Sequence, residues 1–148
     1  MFKKILVPLD GSALAEAILP QVTELVRVHS AELVILRVAL AHGFPGVDPT
    51  EAQLQAVRES EKYLEGVEKD LKARAVKVSS VVRYGNAAEE ILDHAAFAGI
   101  DLIAMSTHGR TGVSRWVLGS VAEKVLRASS TPLLLLRAPG APAPAAGT

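Results

Sequence analysis

Short, unbroken apolar segments alternate along this chain with stretches of helical periodicity, and that alternation limits the folds open to it. Lys3–Leu9, Leu33–Ala39, Val76–Val82, Asp101–Ser106 and Pro132–Arg137 are the strand candidates, dominated by Val, Ile and Leu. Between the first two, Leu14, Ala17, Ile18, Val22, Leu25 and Val26 recur at helical spacing. Leu54, Val57, Tyr63 or Leu64, Val67 and Leu71 do the same between the second and third. A strand exposed on one side alternates apolar with polar residues, whereas these runs are continuous. They therefore predict an α/β fold, an open parallel sheet with helices on both faces, joined by right-handed crossovers. Periodicity alone carries no strand order.

Local chemistry marks where the elements begin and end. Asp10-Gly11-Ser12 joins turn chemistry to a helix N-cap. Pro20 falls inside the helical pattern that follows, so a kink or a late helix start is expected there. Residues 40–49, LAHGFPGVDP, read as a loop, and Thr50 is expected to cap a long helix ending near Ala73. Tyr84-Gly85-Asn86 is a turn, and Asn86 with Glu89 forms a capping pair for a helix to about Ala98. Gly119-Ser120 opens the last helix, to about Ala128. Residues 1–138 thus make one domain, followed by a Pro/Ala-rich tail, 139–148, expected to be disordered.

Composition removes several function classes. The chain has 148 residues, with 16 basic residues against 16 acidic ones, so bulk charge would not draw it to nucleic acid or to a membrane surface. No apolar run approaches the length of a membrane span, and the run in MFKKILVPLD is too short for a signal peptide. Zero Cys excludes disulfides, Cys-based zinc sites and thiol catalysis together. A cytoplasmic, single-domain protein is the expectation.

In open parallel sheets, ligands bind beyond the carboxyl ends of the strands, where the winding reverses. Two such loops stand out, Pro8–Ser12 and Ser106–Ser120. The second carries Gly109, Gly112 and Gly119, which let the backbone approach a ligand, and then opens a helix whose free N–H groups suit a phosphate. Arg110, Arg115, Lys124 and Arg127 against Glu123 make this stretch net positive. It is neither a Walker A loop nor a GxGxxG fingerprint. Without a ligand, the same residues read as a capping box of Ser120 with Glu123, dipole-placed cations at a helix end, and turn glycines.

The segment Ser106-x2-Gly109-x9-Gly119-Ser120, with ILVPLDGS at the start, DLIAMSTHGRTG before the loop and GSVAEKVLRASSTPLLLLR after it, resembles the universal stress protein family. The family signature is G-x2-G-x9-G-[S/T], so Ser106 stands where its first Gly would be. The resemblance spans residues 2–137. It implies a five-stranded sheet of order 3-2-1-4-5, similar to the adenine nucleotide alpha hydrolase fold, and an ATP-binding regulatory module of the stress response. By position, Pro8, Asp10 and Val38 would line the adenosine end, with Met105 and Ser106 along the ribose. Gly109, Arg110, Gly119, Ser120 and Val121 would surround the phosphates, and Mg²⁺ or Mn²⁺ would be held chiefly by the phosphates themselves. A branch of the family without the glycine signature does not bind ATP. The alternative is therefore a dimeric interaction protein whose cleft Ser106 has closed, or a weak ATPase.

The remaining candidates are weaker. His29, His42, His94 and His108 show no metal-ligand spacing; only His108 falls in the candidate loop, and His94 is expected to find polar partners on its helix. Asp10 is the one acid of these loops, with helix capping as its simplest role. Trp116 either packs the loop or meets a partner chain. Leu133–Leu136 reads as a strand buried on both faces. If it ends the sheet, its edge would be covered by a second subunit. Efficient hydrolysis needs a base or water-orienting group beside the γ-phosphate, and no paired carboxylates are on offer. A nucleotide-gated binding module is expected, with slow hydrolysis or autophosphorylation still compatible.

Overall fold

The computed structural model describes residues 1–40, 45–107 and 119–137. Ten elements follow one another: β1 (Lys4–Pro8), α1 (Ala13–Glu16), α2 (Leu19–His29), β2 (Glu32–Ala39), α3 (Pro49–Ala73), β3 (Val78–Tyr84), α4 (Ala87–Phe97), β4 (Leu102–Thr107), α5 (Ser120–Ala128) and β5 (Leu133–Arg137). The strands form one parallel sheet of order β3-β2-β1-β4-β5. Lys4 lies opposite Glu32 and Pro8 opposite Leu36, while on the other side of β1 Ile5 lies opposite Leu102. The winding reverses between β1 and β4, so their carboxyl ends flank a crevice.

Burial explains why the strand segments carry no polar alternation. Ile5 and Val7 belong to one core, with α2 and α3 through Val22, Val26, Leu64 and Leu71. Leu6, between them in sequence, belongs to the other, with α4 and α5 through Ile91, Ala95, Ala122 and Val125. Successive strand residues point to opposite faces, and here both faces are dry. Leu133–Leu136 departs from this expectation. All four are half-buried, because among the described residues β5 is an edge strand of the sheet.

Most element boundaries follow capping chemistry, with corrections. Ser12 caps α1, its Oγ accepting the Ala15 N–H at 3.1 Å. Of the two outcomes expected at Pro20, the late start is realised: α1 stops, and α2 begins at Leu19 with Pro20 in its first turn, where a missing N–H goes unnoticed. Asp48, not Thr50, caps α3; its Oδ1 accepts the Thr50 N–H at 2.9 Å, and Pro49 occupies the first helical position. The Asn86 side chain accepts the Glu89 N–H at 3.2 Å, as expected of a cap. β3 begins two residues later than the apolar run, because the Val76 N–H is spent on Leu71 O at 3.1 Å. Ala75 takes a left-handed φ of 61° to close α3 in that way. Tyr84 consequently ends the strand rather than opening the turn.

At the opposite end of the sheet, Asp101 fastens β1 beside β4. Its Oδ2 accepts the N–H groups of Lys3 at 2.7 Å and Lys4 at 2.8 Å, which holds its carboxyl below the usual carboxylate range.

Candidate functional site

The crevice at the reversal point is a cleft of about 280 Å³. Pro8, Leu9 and Asp10 enter it from the end of β1, and Ser12, Leu14 and Ala15 from the cap and body of α1. Leu36 and Val38 of β2, with Ala87 and Ile91 of α4, make an apolar portion. Met105 and Ser106 contribute from β4, and Gly119, Ser120, Val121 and Ala122 from the start of α5.

Pro8, Asp10, Val38, Met105, Ser106, Gly119, Ser120 and Val121, all singled out from the sequence, thus meet around one cavity. Gly109 and Arg110 lie outside the described residues, as do Gly112, Arg115, His42, His108, Trp116 and the tail. Sequence reasoning missed Leu14 and Ala15, Leu36, the α4 pair Ala87 and Ile91, and Ala122. Their signal is the helical or strand spacing that also marks core residues, and only the crossover geometry turns them toward the cleft.

The β1–α1 turn is fixed from several sides. Asp10 Oδ1 accepts the backbone N–H of Ser12 at 2.9 Å and the Ser12 hydroxyl as well, and Ser12 in turn caps α1. Asp10 therefore supports the cap rather than serving as it. Gly11 sits at φ +88°, a conformation that disfavours side chains. Beneath it lies Arg37, whose guanidinium rests 4.8 Å from the Tyr63 ring centroid. The Tyr63 hydroxyl donates to Glu16 at 2.7 Å, at the far end of α1.

Ser106 occupies ordinary strand backbone, in register with Leu136. The only non-glycine residues with positive φ among those described are Ser30 and Ala75, so a serine here carries no left-handed strain. Its hydroxyl donates to Leu14 O at 2.8 Å. The cleft remains open beside it.

At α5 the capping-box reading is overturned. Gly119 is the N-cap, with φ −61° and ψ 152°, and among the described residues no side chain caps the helix. Ser120 is the first helical residue, and Glu123 reaches forward to Arg127 at 2.8 Å rather than back to the cap. This end of the helix, with its uncapped N–H groups and positive dipole end, forms part of the cleft wall. Arg127 is engaged by Glu123, so it adds less to the positive character of the segment than its charge suggests.

The two described histidines lie away from the cleft. His29 ends α2, accepts the Phe2 N–H at 3.4 Å and packs its ring 5.1 Å from that of Phe2. His94 is buried, and its Nδ1 has no hydrogen-bond partner, contrary to the polar partners expected for it. Among the described residues, no group of three His, Asp or Glu side chains is arranged to hold a metal ion. No described helix is long and apolar enough to cross a membrane.

The fold and the cleft define a class, an open α/β sheet with a crevice at its reversal point, and comparison with known proteins narrows it. The universal stress protein family model matches residues 1–137. Universal stress protein MJ0577 of Methanocaldococcus jannaschii is 30% identical over 93% of this chain and 96% of its own. Universal stress protein YxiE of Bacillus subtilis is 30% identical over 93% of this chain and 100% of its own. Among solved structures, a universal stress protein family member from Burkholderia pseudomallei is 29% identical, covers 93% of this chain and 97% of its own, and superposes with a TM-score of 0.76. The chain belongs to the universal stress protein family.

Two further structures share the fold at lower identity. A universal stress protein in complex with cAMP is 19% identical, with a TM-score of 0.60 and coverage of 93% and 98%. An Arabidopsis thaliana family member with AMP bound is 15% identical, with a TM-score of 0.61 and coverage of 91% from each side.

Proposed function

We propose that this chain binds an adenine nucleotide, ATP, in the crevice between β1 and β4 and acts as a nucleotide-gated module of the cytoplasmic stress response. The observation that carries this reading is the start of α5. Gly119 caps the helix without a side chain, and the helix start lines the cleft, so its N–H groups are available to phosphate oxygens. The Ser120 hydroxyl adds a donor, and Val38 and Met105, backed by the buried Leu36 and Ile91, make an apolar wall for a base. The relatives of this fold with cAMP or AMP bound support the ligand class. A divalent ion, Mg²⁺ or Mn²⁺, fits this lining only as a passenger of the phosphates. Asp10 is the one carboxylate among the described lining residues, and its Oδ1 is engaged by Ser12.

The same scarcity of acid and base groups favours binding over efficient catalysis. Association is proposed through β5. β5 carries four leucines in five residues, whereas β3 mixes three valines with Ser79, Ser80 and Arg83, and the more apolar open edge invites pairing with a second copy. Sedimentation equilibrium checks the dimer.

Calorimetric titration of nucleotide-stripped protein with Mg-ATP tests the ligand, alongside mass analysis of nucleotide released on denaturation. A dissociation constant of tens of micromolar or tighter, about −6 kcal/mol or more favourable, is expected. No released nucleotide and no heat at millimolar ATP would overturn the reading.

A further inference from the structure

We infer that Ser106 is a positioning residue of the cleft. Its hydroxyl ties the end of β4 to α1 and holds two walls of the site at a fixed separation; this rests on the nucleotide reading above. Ser106 and Leu14 are 92 positions apart in sequence, yet both line the cleft and are joined by a 2.8 Å hydrogen bond.

The wall it holds has little strength of its own. α1 spans four residues, Ala13–Glu16, far below the length at which a helix sustains itself. Its internal bonds are long: Glu16 N–H to Ser12 O and Ala17 N–H to Leu14 O are both 3.3 Å. The helical path is then interrupted before α2 begins at Leu19. Where Leu14 and Ala15 sit in the cleft therefore depends on attachments to the rest of the molecule. Ser12 supplies one at the start, and Tyr63 supplies one through Glu16. Ser106 supplies the one on the cleft side.

Backbone conformation does not explain the residue, since Ser106 lies in regular strand geometry that any side chain adopts. What serine adds at this position is a Cβ and a hydroxyl, and it is the hydroxyl that bonds α1. A wall ordered before the ligand arrives spares the ligand the cost of ordering it, so the tie raises affinity by preorganisation.

The test separates the hydroxyl from the space it fills. Ser106→Ala keeps the Cβ and removes the bond, and Ser106→Thr restores a hydroxyl on the same strand. Amide hydrogen exchange at residues 15–17, whose N–H groups are hydrogen-bonded, reads the tie directly in the nucleotide-free protein, and calorimetry with Mg-ATP reads its consequence. Ser106→Ala is expected to speed exchange at these amides about tenfold and to weaken ATP binding about five- to tenfold, with Ser106→Thr recovering most of both. Unchanged exchange in Ser106→Ala would overturn the tie. Faster exchange with unchanged ATP affinity would overturn its role in the site. Faster exchange in a protein whose parent binds no ATP would uphold the tie and overturn the nucleotide reading instead.

Discussion

The Tyr63 hydroxyl donates to Glu16 at 2.7 Å, joining the middle of the long helix α3 to the end of the four-residue α1. Burial, the Glu16 hydrogen bond and the Glu16 charge, in that order, push the Tyr63 hydroxyl well above its ordinary ionisation range, while Arg37 pulls the other way. A raised acid pKa favours the protonated form in the folded state. The stabilisation is thus complete below pH about 10 and is lost as pH climbs above it. Tyr63→Phe keeps the ring under Arg37 and removes the hydrogen bond, and is expected to cost about 1 kcal/mol in urea denaturation at pH 7. The same measurement should show a difference between parent and variant that shrinks as pH rises past 10.

His94 gives a dependence of the opposite sense. Burial, followed by the charges of Arg83 and Lys4, lowers its pKa from the usual histidine value. The unfolded chain therefore binds the proton more readily than the folded one. The stability held by a neutral His94 is fully present above pH about 6.5 and falls as pH drops through and below that value. His94→Leu removes the unpartnered Nδ1 and the titration together. Its denaturation midpoint is expected to match or exceed the parent's at pH 7.5 and to fall less between pH 7.5 and pH 5. A parent and variant with parallel midpoints across that range would contradict the assignment.

These two residues show where sequence legibility stops. The strands, the break in helical structure near Pro20 and the Asn86 cap are readable because each depends on spacing within a few residues. The order of strands rested on family resemblance, and the sheet has that order. Asp48 and Thr50 are both capping types two residues apart, and it is Pro49 at the first helical position that makes Asp48 the cap. Ser120 shows a related limit: a serine followed three residues later by a glutamate has the spacing of a capping box, but Glu123 finds Arg127 instead. The Ser106–Leu14 bond and the isolation of His94 depend on helices docking across the sheet. No local pattern in the sequence encodes either contact.

Gly11 combines two constraints, a φ of +88° and a space in which an added Cβ would stand 3.2 Å from Arg37 Nη1. The guanidinium is the mobile end of a long side chain and can shift, so backbone conformation sets most of the cost. Gly11→Ala is expected to destabilise the protein by about 1–2 kcal/mol. Because the turn also carries Asp10 and Ser12, Mg-ATP affinity should fall in the same variant. Circular dichroism melts and calorimetry read the two effects separately.

Gly119 offers a substitution whose effects on stability and binding should diverge. Its φ of −61° and ψ of 152° are open to any residue, so glycine is not there to satisfy the backbone. An N-cap aspartate in this conformation accepts from the first turn and gains a few tenths of a kcal/mol over glycine. In Gly119→Asp the same carboxylate would occupy the helix start and repel an approaching phosphate. The expected outcome is a melting temperature equal to or slightly above the parent's, with Mg-ATP affinity at least tenfold weaker. Gly119→Ala serves as the control: it adds bulk without charge, lacks the capping oxygen, and should lose less affinity than Gly119→Asp while being less stable. If Gly119→Asp bound ATP as tightly as the parent, the phosphates would have to lie elsewhere than at α5.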